Sequence, residues 1–469
     1  MSSIKKRLGL LIALILLSSL VMLPHATVKA QSKTIIVPDN YPTITDAIGN
    51  ATNGETILVR SGTYNERTLE TNKTISLIGE GLASTIVNLY PPSLPDYILG
   101  QLVGNLATAI EFNANGIVFS GFTINSYGAM SIAGNDEVIT GNAINDYAEY
   151  WFAVTGNHET IYNNTSNTVI HACCTHSSIC ANSGTGAIIV DDFYSSSVFF
   201  EGSFNSVFDN NMKGVEGAAE SCSNLYYGNT VNSGSGIYAS VGDIVANNTI
   251  TDCNQGVTTG SNDMIVGNKI INNSGAGMST TGLNNVFWAN YVANNQVGII
   301  TVSSSEYGGG NFTIYDNDFI NNTHQTQVTD SQGGPWSDYW NSSQQGNYWS
   351  DYQSKYPNAS EVDSSGIWNT PYYVGGGEQD NYPLMNPFNI NSISIQLPSW
   401  ANITLPSPLL TPSFPSQDLA NPQTSPTVSA TPTPTAPEFP SLILVLTLFI
   451  AVSTSIAVKM TVRKRKTVE

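Results

Sequence analysis

The chain has 469 residues and a formal net charge of −19, from 16 basic and 35 acidic residues. Between Lys73 and Lys459 the only basic residues are Lys213, Lys269 and Lys355, too few to neutralise a phosphate backbone, which excludes nucleic acid as a partner. Acidic polysaccharides are disfavoured unless a cation bridges them, and the simplest role for the acidity is to keep an exported protein soluble.

At the start, Lys5, Lys6 and Arg7 precede an apolar run over residues 8–23, and the small residues Val28 and Ala30 follow. Residues 1–30 therefore read as a secretory signal peptide with cleavage before Gln31, the alternative being an uncleaved N-terminal anchor. Residues 34–37 and 56–59 are β-like, and between them Ile44, Ala47, Ile48 and Ala51 fall at helical spacing. That order predicts a strand, a short amphipathic helix that covers the open first coil of a stack, and a return to strand. Residues 74–78, 85–89 and 117–124 continue as short strands.

From Ile139 a phrase repeats: apolar, two spacers, Asn, spacer, apolar. Its asparagines are Asn142, Asn164, Asn210, Asn229, Asn248, Asn268, Asn290 and Asn317, about 19 to 22 residues apart and once about 27, apart from the gap between Asn164 and Asn210. Such a period belongs to a solenoid. Each repeat is too short for a helix and offers two or three β-like runs split by Asn, Gly, Ser and Asp. The expected architecture is all-β, a right-handed parallel β-helix spanning residues 31–397 with its caps. Its roughly dozen coils would stand about 4.8 Å apart, a rod about 55 to 60 Å long. Asn suits the corner because it tolerates a left-handed backbone and because its amide can bond the equivalent amide one coil away.

The ladder is least legible between Asn164 and Asn210, and that interval holds the chemistry-bearing residues. His171, Cys173, Cys174, His176 and Cys180 place two imidazoles and three sulfurs within ten residues, a donor set suited to copper or zinc. The competing reading is burial or disulfide pairing, with Cys222 and Cys253 making an odd total of five. Asp191 and Asp192 form the one adjacent Asp pair that stands out as a weak catalytic candidate, although neighbours on a strand point to opposite faces. Calcium is a further candidate, through Asp316, Asp318, Asp351, Glu361, Asp363 and Asp380.

Past Tyr339 aromatics crowd in, Trp340, Trp349 and Trp368 among them. They read as a cap on the last coil, or as a sugar-stacking platform. Residues 398–440 hold half of all the prolines and read as an extended Pro/Ser/Thr stalk. Residues 441–458 are apolar and read as one transmembrane helix, and residues 459–469 as a basic cytoplasmic tail, which puts the body outside the cell. Candidate glycosylation sequons at Asn50, Asn72, Asn247, Asn272, Asn311, Asn321, Asn341, Asn358 and Asn402 agree with that exposure.

The stretches Ile35-Ile36-Val37-Pro38-Asp39-Asn40-Tyr41-Pro42-Thr43-Ile44 and Gly54-Glu55-Thr56-Ile57-Leu58-Val59-Arg60-Ser61-Gly62-Thr63-Tyr64 resemble the opening coil of pectin-lyase-like right-handed β-helix proteins. The Asn repeats resemble the NosD-like branch of that class. Gly346-Asn347-Tyr348-Trp349-Ser350-Asp351-Tyr352 and Asp380-Asn381-Tyr382-Pro383-Leu384-Met385 are similar to the C-terminal cap of its archaeal members. Pro437-Glu438-Phe439-Pro440 resembles an archaeal sorting signal of the PEF type. The resemblance implies the β-helix fold and, for the founding members of the branch, periplasmic copper handling. Many anchored relatives carry the fold alone.

Three functions compete. A polysaccharide lyase or hydrolase needs convergent carboxylates, with a cation for a lyase, and the folded part holds only Arg60 and Arg67 as arginines. Copper handling would use the His171–Cys180 cluster. A membrane-anchored surface protein that binds glycans or cell-envelope proteins needs neither set, and is the expectation carried forward.

Overall fold

The computed structural model describes residues 34–90, 108–147, 151–190, 193–195, 198–200, 202–217, 221–304, 309–331 and 338–409. The chain divides into two units, Met1–Phe414 and Pro415–Glu469, and all of these residues lie in the first. The expected signal peptide, membrane run, basic tail and most of the stalk fall outside the described residues, as do Asp191 and Asp192. Among the described residues no helix is long and apolar enough to cross a membrane.

The body is a right-handed parallel β-solenoid of about 11 turns. Each full coil contributes one strand to each of three sheets. The first runs from Thr34–Val37 through Val138–Thr140, Ser178–Cys180 and Ile244–Ala246 to Thr313–Tyr315. The second includes Gly62–Glu66, Thr123–Ser126, Ala143–Asp146 and Asp318–Ile320. The third includes Leu69–Thr71, Thr108–Asn113, Phe152–Asn157, Ile170–Thr175 and His324–Ser331. Register holds from coil to coil: Val138, Ile139 and Thr140 face Thr160, Ile161 and Tyr162. One side chain per strand therefore repeats at the same core position, as with Ile139, Ile161, Ile179 and Val207, all fully buried. Burying an aliphatic side chain of this size contributes about 1.5–3 kcal/mol, and the solenoid repeats that gain in every coil.

The N-terminal cap is the expected helix, Ile44–Asn50, whose Ile44, Ala47 and Ile48 are buried. Thr43 Oγ1 accepts from Asp46 N–H at 3.0 Å, an N-cap that satisfies one of the helix's open donors. At the other end Trp349 stacks on Phe319 at 4.6 Å and on Tyr372 at 4.2 Å.

The chain then turns back along the rod. Phe388 N–H donates to Asp318 Oδ1 at 2.7 Å, Ile393 and Ile395 lie against the corner at Gly267, and Asn402 N–H donates to Ser206 Oγ at 2.9 Å. Half-buried Ile393, Ile395 and Leu397 alternate with exposed Ser394 and Gln396, the pattern of an extended strap with one packed face. Phe208, Ala246 and Val266, on the same sheet as Ser206, are buried without belonging to the inner core. Packed chain thus continues to Asn402, beyond the expected start of the stalk at Pro398.

Candidate functional site

Three corners join the sheets, and each carries its own ladder. At the first-to-second corner every expected asparagine is present. Asn142 Oδ1 accepts from Phe122 N–H, and each later Oδ1 accepts from the backbone and side-chain N–H groups of the ladder residue one coil before, as Asn164 does from Asn142 at 3.1 Å each. Asn182 and Asn347 also belong to this ladder. Asn182 escapes the spacing rule because its coil is followed by a 28-residue step to Asn210 that includes a hairpin, Phe193–Ser195 paired with Val198–Phe200. The left-handed conformation, expected on the ladder Asn, falls instead on the residue before it: Gly141, Asn163, Ala181, Asp209 and Asp316 have positive φ. The ladder Asn is chosen for its amide alone.

The third-to-first corner holds a second ladder that the sequence did not reveal. Glu137 N–H donates to Glu159 Oε2, Glu159 N–H to Ser177 Oγ, Ser177 N–H to Asn205 Oδ1, and the series continues through Asn224, Asp243 and Asp263 to Asn285. Any acceptor oxygen serves here, so no single residue type marks the column. Burial raises the pKa of Glu137 and Glu159, and pushes Asp243 up to about 7 and Asp263 to about 8. The glutamates fold into a niche left by Gly134 and Gly156, where a Cβ would come within 2.2 and 2.6 Å of their carboxyl oxygens. Sealed from solvent, these acids hold coils together and do not meet a substrate.

The second-to-third corner is closed in the last coils by a buried ladder, in which Cys253 N–H donates to Asn273 Oδ1, Asn273 N–H to Asn295 Oδ1 and Asn295 N–H to Asn322 Oδ1; its outer side is open in the first coils. Tyr90, Tyr127 and Tyr147 occupy the same position on three successive coils, with ring centroids 5.6 and 5.3 Å apart and nearly parallel planes. They are 46%, 36% and 57% exposed. Each follows a strand of the second sheet in the phrase Asn-x-Tyr, as Asn88-Leu89-Tyr90, Asn125-Ser126-Tyr127 and Asn145-Asp146-Tyr147. The three asparagines form an outward amide ladder with Asn65. That phrase is the sequence signal of the line, weaker than the inward Asn repeat. In the next coils smaller residues replace the rings, and the corner becomes a groove of about 360 Å³ lined by residues 167–169, 185–187, Lys213, Gly214 and Ser235. Asp146 N–H donates to Asn167 Oδ1 at 2.8 Å, which joins the end of the tyrosine line to the groove.

A second cavity, about 370 Å³, lies beside the N-terminal helix and is lined in part by Glu70, Lys73 and Glu111. Lys73 Nζ is committed to Ile48 O at 3.1 Å and Gly49 O at 2.9 Å, closing the helix C-terminus.

The metal and sugar-stacking candidates singled out in the sequence are dispersed or buried. His171, Cys173, Cys174, His176 and Cys180 do not converge: Cys174 points into the core, Cys173 alternates away from it, His176 is exposed at a corner, and Cys180 is buried outside the core on another sheet. No disulfide joins any of the five cysteines, and burial raises the pKa of Cys174, Cys180 and Cys253. Trp340, Trp349 and Trp368 are only 1%, 1% and 8% exposed, so they are cap and not platform. The calcium candidates scatter: Asp380 accepts from Asn347 N–H and Trp349 Nε1–H, while Asp351 pairs with Lys355. Among the described residues no three His, Cys, Asp or Glu side chains are grouped so as to hold a metal ion. The sequon residues Asn50, Asn72, Asn247, Asn272, Asn321, Asn358 and Asn402 are exposed, and Asn311 and Asn341 half-buried.

Residues 110–354 match the family model described as "Periplasmic copper-binding protein (NosD)". No curated protein matches the chain. Among solved structures it is similar to the catalytic domain of a GH87 α-1,3-glucanase in complex with tetrasaccharides, at 12% identity and TM-score 0.48 over 68% of this chain and 69% of that one. The PL6 family alginate lyase AlyGC is 15% identical, TM-score 0.48, over 80% and 59%. The Azotobacter vinelandii mannuronan C-5 epimerase AlgE6 A-module is 15% identical, TM-score 0.41, over 65% and 92%. At these identities the likeness is one of fold.

Proposed function

The chain belongs to the NosD family, whose model spans more than half of it, and from that premise we propose that it is an exported, membrane-anchored protein that binds a neutral glycan along the second-to-third corner. The observation that carries this reading is the exposed line of Tyr90, Tyr127 and Tyr147 running into the adjoining groove. Stacked rings turn edges outward along the line and leave a ring face only at its ends. The ring of Tyr147, at the groove end, offers that face to the C–H side of a sugar, and the amide, hydroxyl and backbone groups beyond it offer partners to its hydroxyls. Lys213 is the one cation in the lining, set against a chain of charge −19, which favours an uncharged polymer over a polyuronate.

Binding rather than cleavage is supported by the lining itself. Glycoside hydrolysis uses two carboxyl groups about 5–9.5 Å apart, and the groove is walled by amide, hydroxyl, amine and apolar groups. The copper in the family's description finds no match in the His171–Cys180 cluster, because its sulfurs are divided between the core and two outer faces. A glycan array probed with the purified chain and with Tyr147→Ala tests the reading. Neutral glycans retained by the parent and lost by the variant support it; equal binding by both overturns it.

A further inference from the structure

The strands of the second sheet turn alternate residues outward. Over five successive coils Thr165, Ser183, Asn211, Thr230 and Thr249 stand in one outward column, each paired in register with the next. They are exposed or half-buried, while their neighbours Ser166, Met212, Val231 and Ile250 are buried. Two residues further along the chain, Asn167, Thr185, Lys213, Asn232 and Thr251 make a second outward column. Apart from Lys213, every side chain in the two columns is uncharged and carries a hydroxyl or an amide. The nearest carboxylate along the chain is Asp252, past the last strand, where it accepts from Thr251 Oγ1 at 2.9 Å.

This field differs from the outward line of the earlier coils. There Asn65, Asn88, Asn125 and Asn145 commit their amides to one another. Among the described residues, the side chains of Thr185, Asn211, Thr230 and Thr249 hydrogen-bond to no other residue, so their donors and acceptors are open to a ligand. Asn167, Thr185 and Lys213 also line the groove beyond Tyr147. The field therefore begins where the groove does.

We propose that the two columns are a track that continues the groove: a neutral polysaccharide leaves Tyr147 and runs along the rod over the second sheet as an extended chain, one sugar unit to a coil. This rests on the glycan reading of the groove and adds the class of chain that fits. Register is the reason. Coils rise about 4.8 Å, so a chain held by several of them stays in step only if each unit advances by about that rise. A ribbon of β-1,4-linked pyranoses is extended enough to do so. A chain coiled by α-1,4 linkage advances less per unit and falls out of step after a few coils. The columns, two residues apart on each strand, stand about 6.6 Å from each other, which lets them reach hydroxyls on both edges of a ribbon. A polyuronate would lay a carboxylate on every coil with Lys213 as the one cation beneath it, which disfavours it.

The test is calorimetric titration of the purified chain with neutral β-1,4-linked oligosaccharides of increasing length, beside an α-1,4-linked series. The variants are Thr230→Val and Thr249→Val, since valine keeps the β-branched shape and removes the hydroxyl. Thr258→Val, on the outer face of the third sheet, is the control. Affinity for the β-linked series should rise with length up to about five units, one for each coil of the track, and then level off. Each of the two variants should weaken binding of chains that span the track about 2- to 13-fold, the range for one neutral hydrogen bond, and leave the shortest chains unaffected. Thr258→Val should change nothing. Tyr147→Ala should weaken all lengths alike, and so reports on the groove separately. Affinity that Tyr147→Ala reduces but that ignores length, Thr230 and Thr249 overturns the track and leaves the groove standing. Preference for the α-linked series, or binding of neither series, overturns the track as well.

Discussion

Asn142 donates both its backbone N–H and its side-chain amide to one oxygen, Asn164 Oδ1, and its Nδ2 also donates to Phe119 O of the preceding coil at 3.0 Å. One buried side chain thereby ties three coils. The same relationship recurs through Asn182, Asn210 and Asn229 to Asn347, so the hydrogen bonds all run in one sense along the rod and reinforce one another.

Removing one rung from the middle should cost more than its own contacts. In Asn229→Ala the Asn210 N–H loses its acceptor, the Asn210 Nδ2 keeps Ile179 O but loses Asn229 Oδ1, and Val207 O loses the Asn229 amide, all in the interior. Buried groups left unpaired cost about 1–3 kcal/mol each, so a loss on the order of 3–5 kcal/mol is expected. Denaturant unfolding, with hydrogen exchange to locate the weakened coils, checks it. The exposed Lys269→Ala is the comparison and should unfold like the parent.

The ladder ends on Asp380, which accepts from Asn347 N–H at 2.7 Å, Trp349 Nε1–H at 2.9 Å and Tyr382 N–H at 3.0 Å. Asp380→Ala should release the aromatic cap while the central coils stay paired, because each coil of a solenoid leans chiefly on its neighbours. Limited proteolysis should then cut first after residue 338, where the parent resists. Uniform loss of resistance along the rod would contradict this local role.

Stability should fall as pH rises from about 4 to about 8. Asp243 and Asp263 are buried, and their pKa values are raised to about 7 and about 8, against an unfolded value near 3.9. The folded state therefore holds protons that the unfolded state has released. The stabilisation is complete below the unfolded value and is lost as pH passes through the folded ones. Glu137 and Glu159 act in the same direction. The double substitution Asp243→Asn with Asp263→Asn copies the neighbours Asn224 and Asn285 and should flatten the decline. A parent melting temperature that rises across this pH window would contradict the assignment.

The sequence disclosed what repeats by residue type. The eight spaced asparagines and the helix at Ile44 could be read because one residue chemistry, or one helical spacing, does the work. Asn182 was hidden by the long coil after it, and Asn347 by the aromatics around it. The ladder from Glu137 to Asn285 was illegible because four residue types can supply the same acceptor oxygen. Inner and outer faces were the other source of error. Composition cannot say that Trp340 and Trp349 seal the last coil while Tyr147 stands in solvent, nor that Cys173 and Cys174 part company across a strand.

The most direct measurement of the tyrosine groove's role is equilibrium binding of a neutral oligosaccharide selected from the array, by calorimetry, to the parent and to Tyr147→Ala, Lys213→Ala and Trp349→Phe. Loss of an aromatic stacking contact is worth about 0.5–1.5 kcal/mol, so Tyr147→Ala should weaken binding about 2- to 13-fold. Lys213→Ala should weaken it less, and the buried Trp349→Phe should leave it unchanged. Binding that survives Tyr147→Ala and Lys213→Ala undiminished, or a polyuronate preferred over every neutral glycan, would contradict the assignment of this corner as the binding surface.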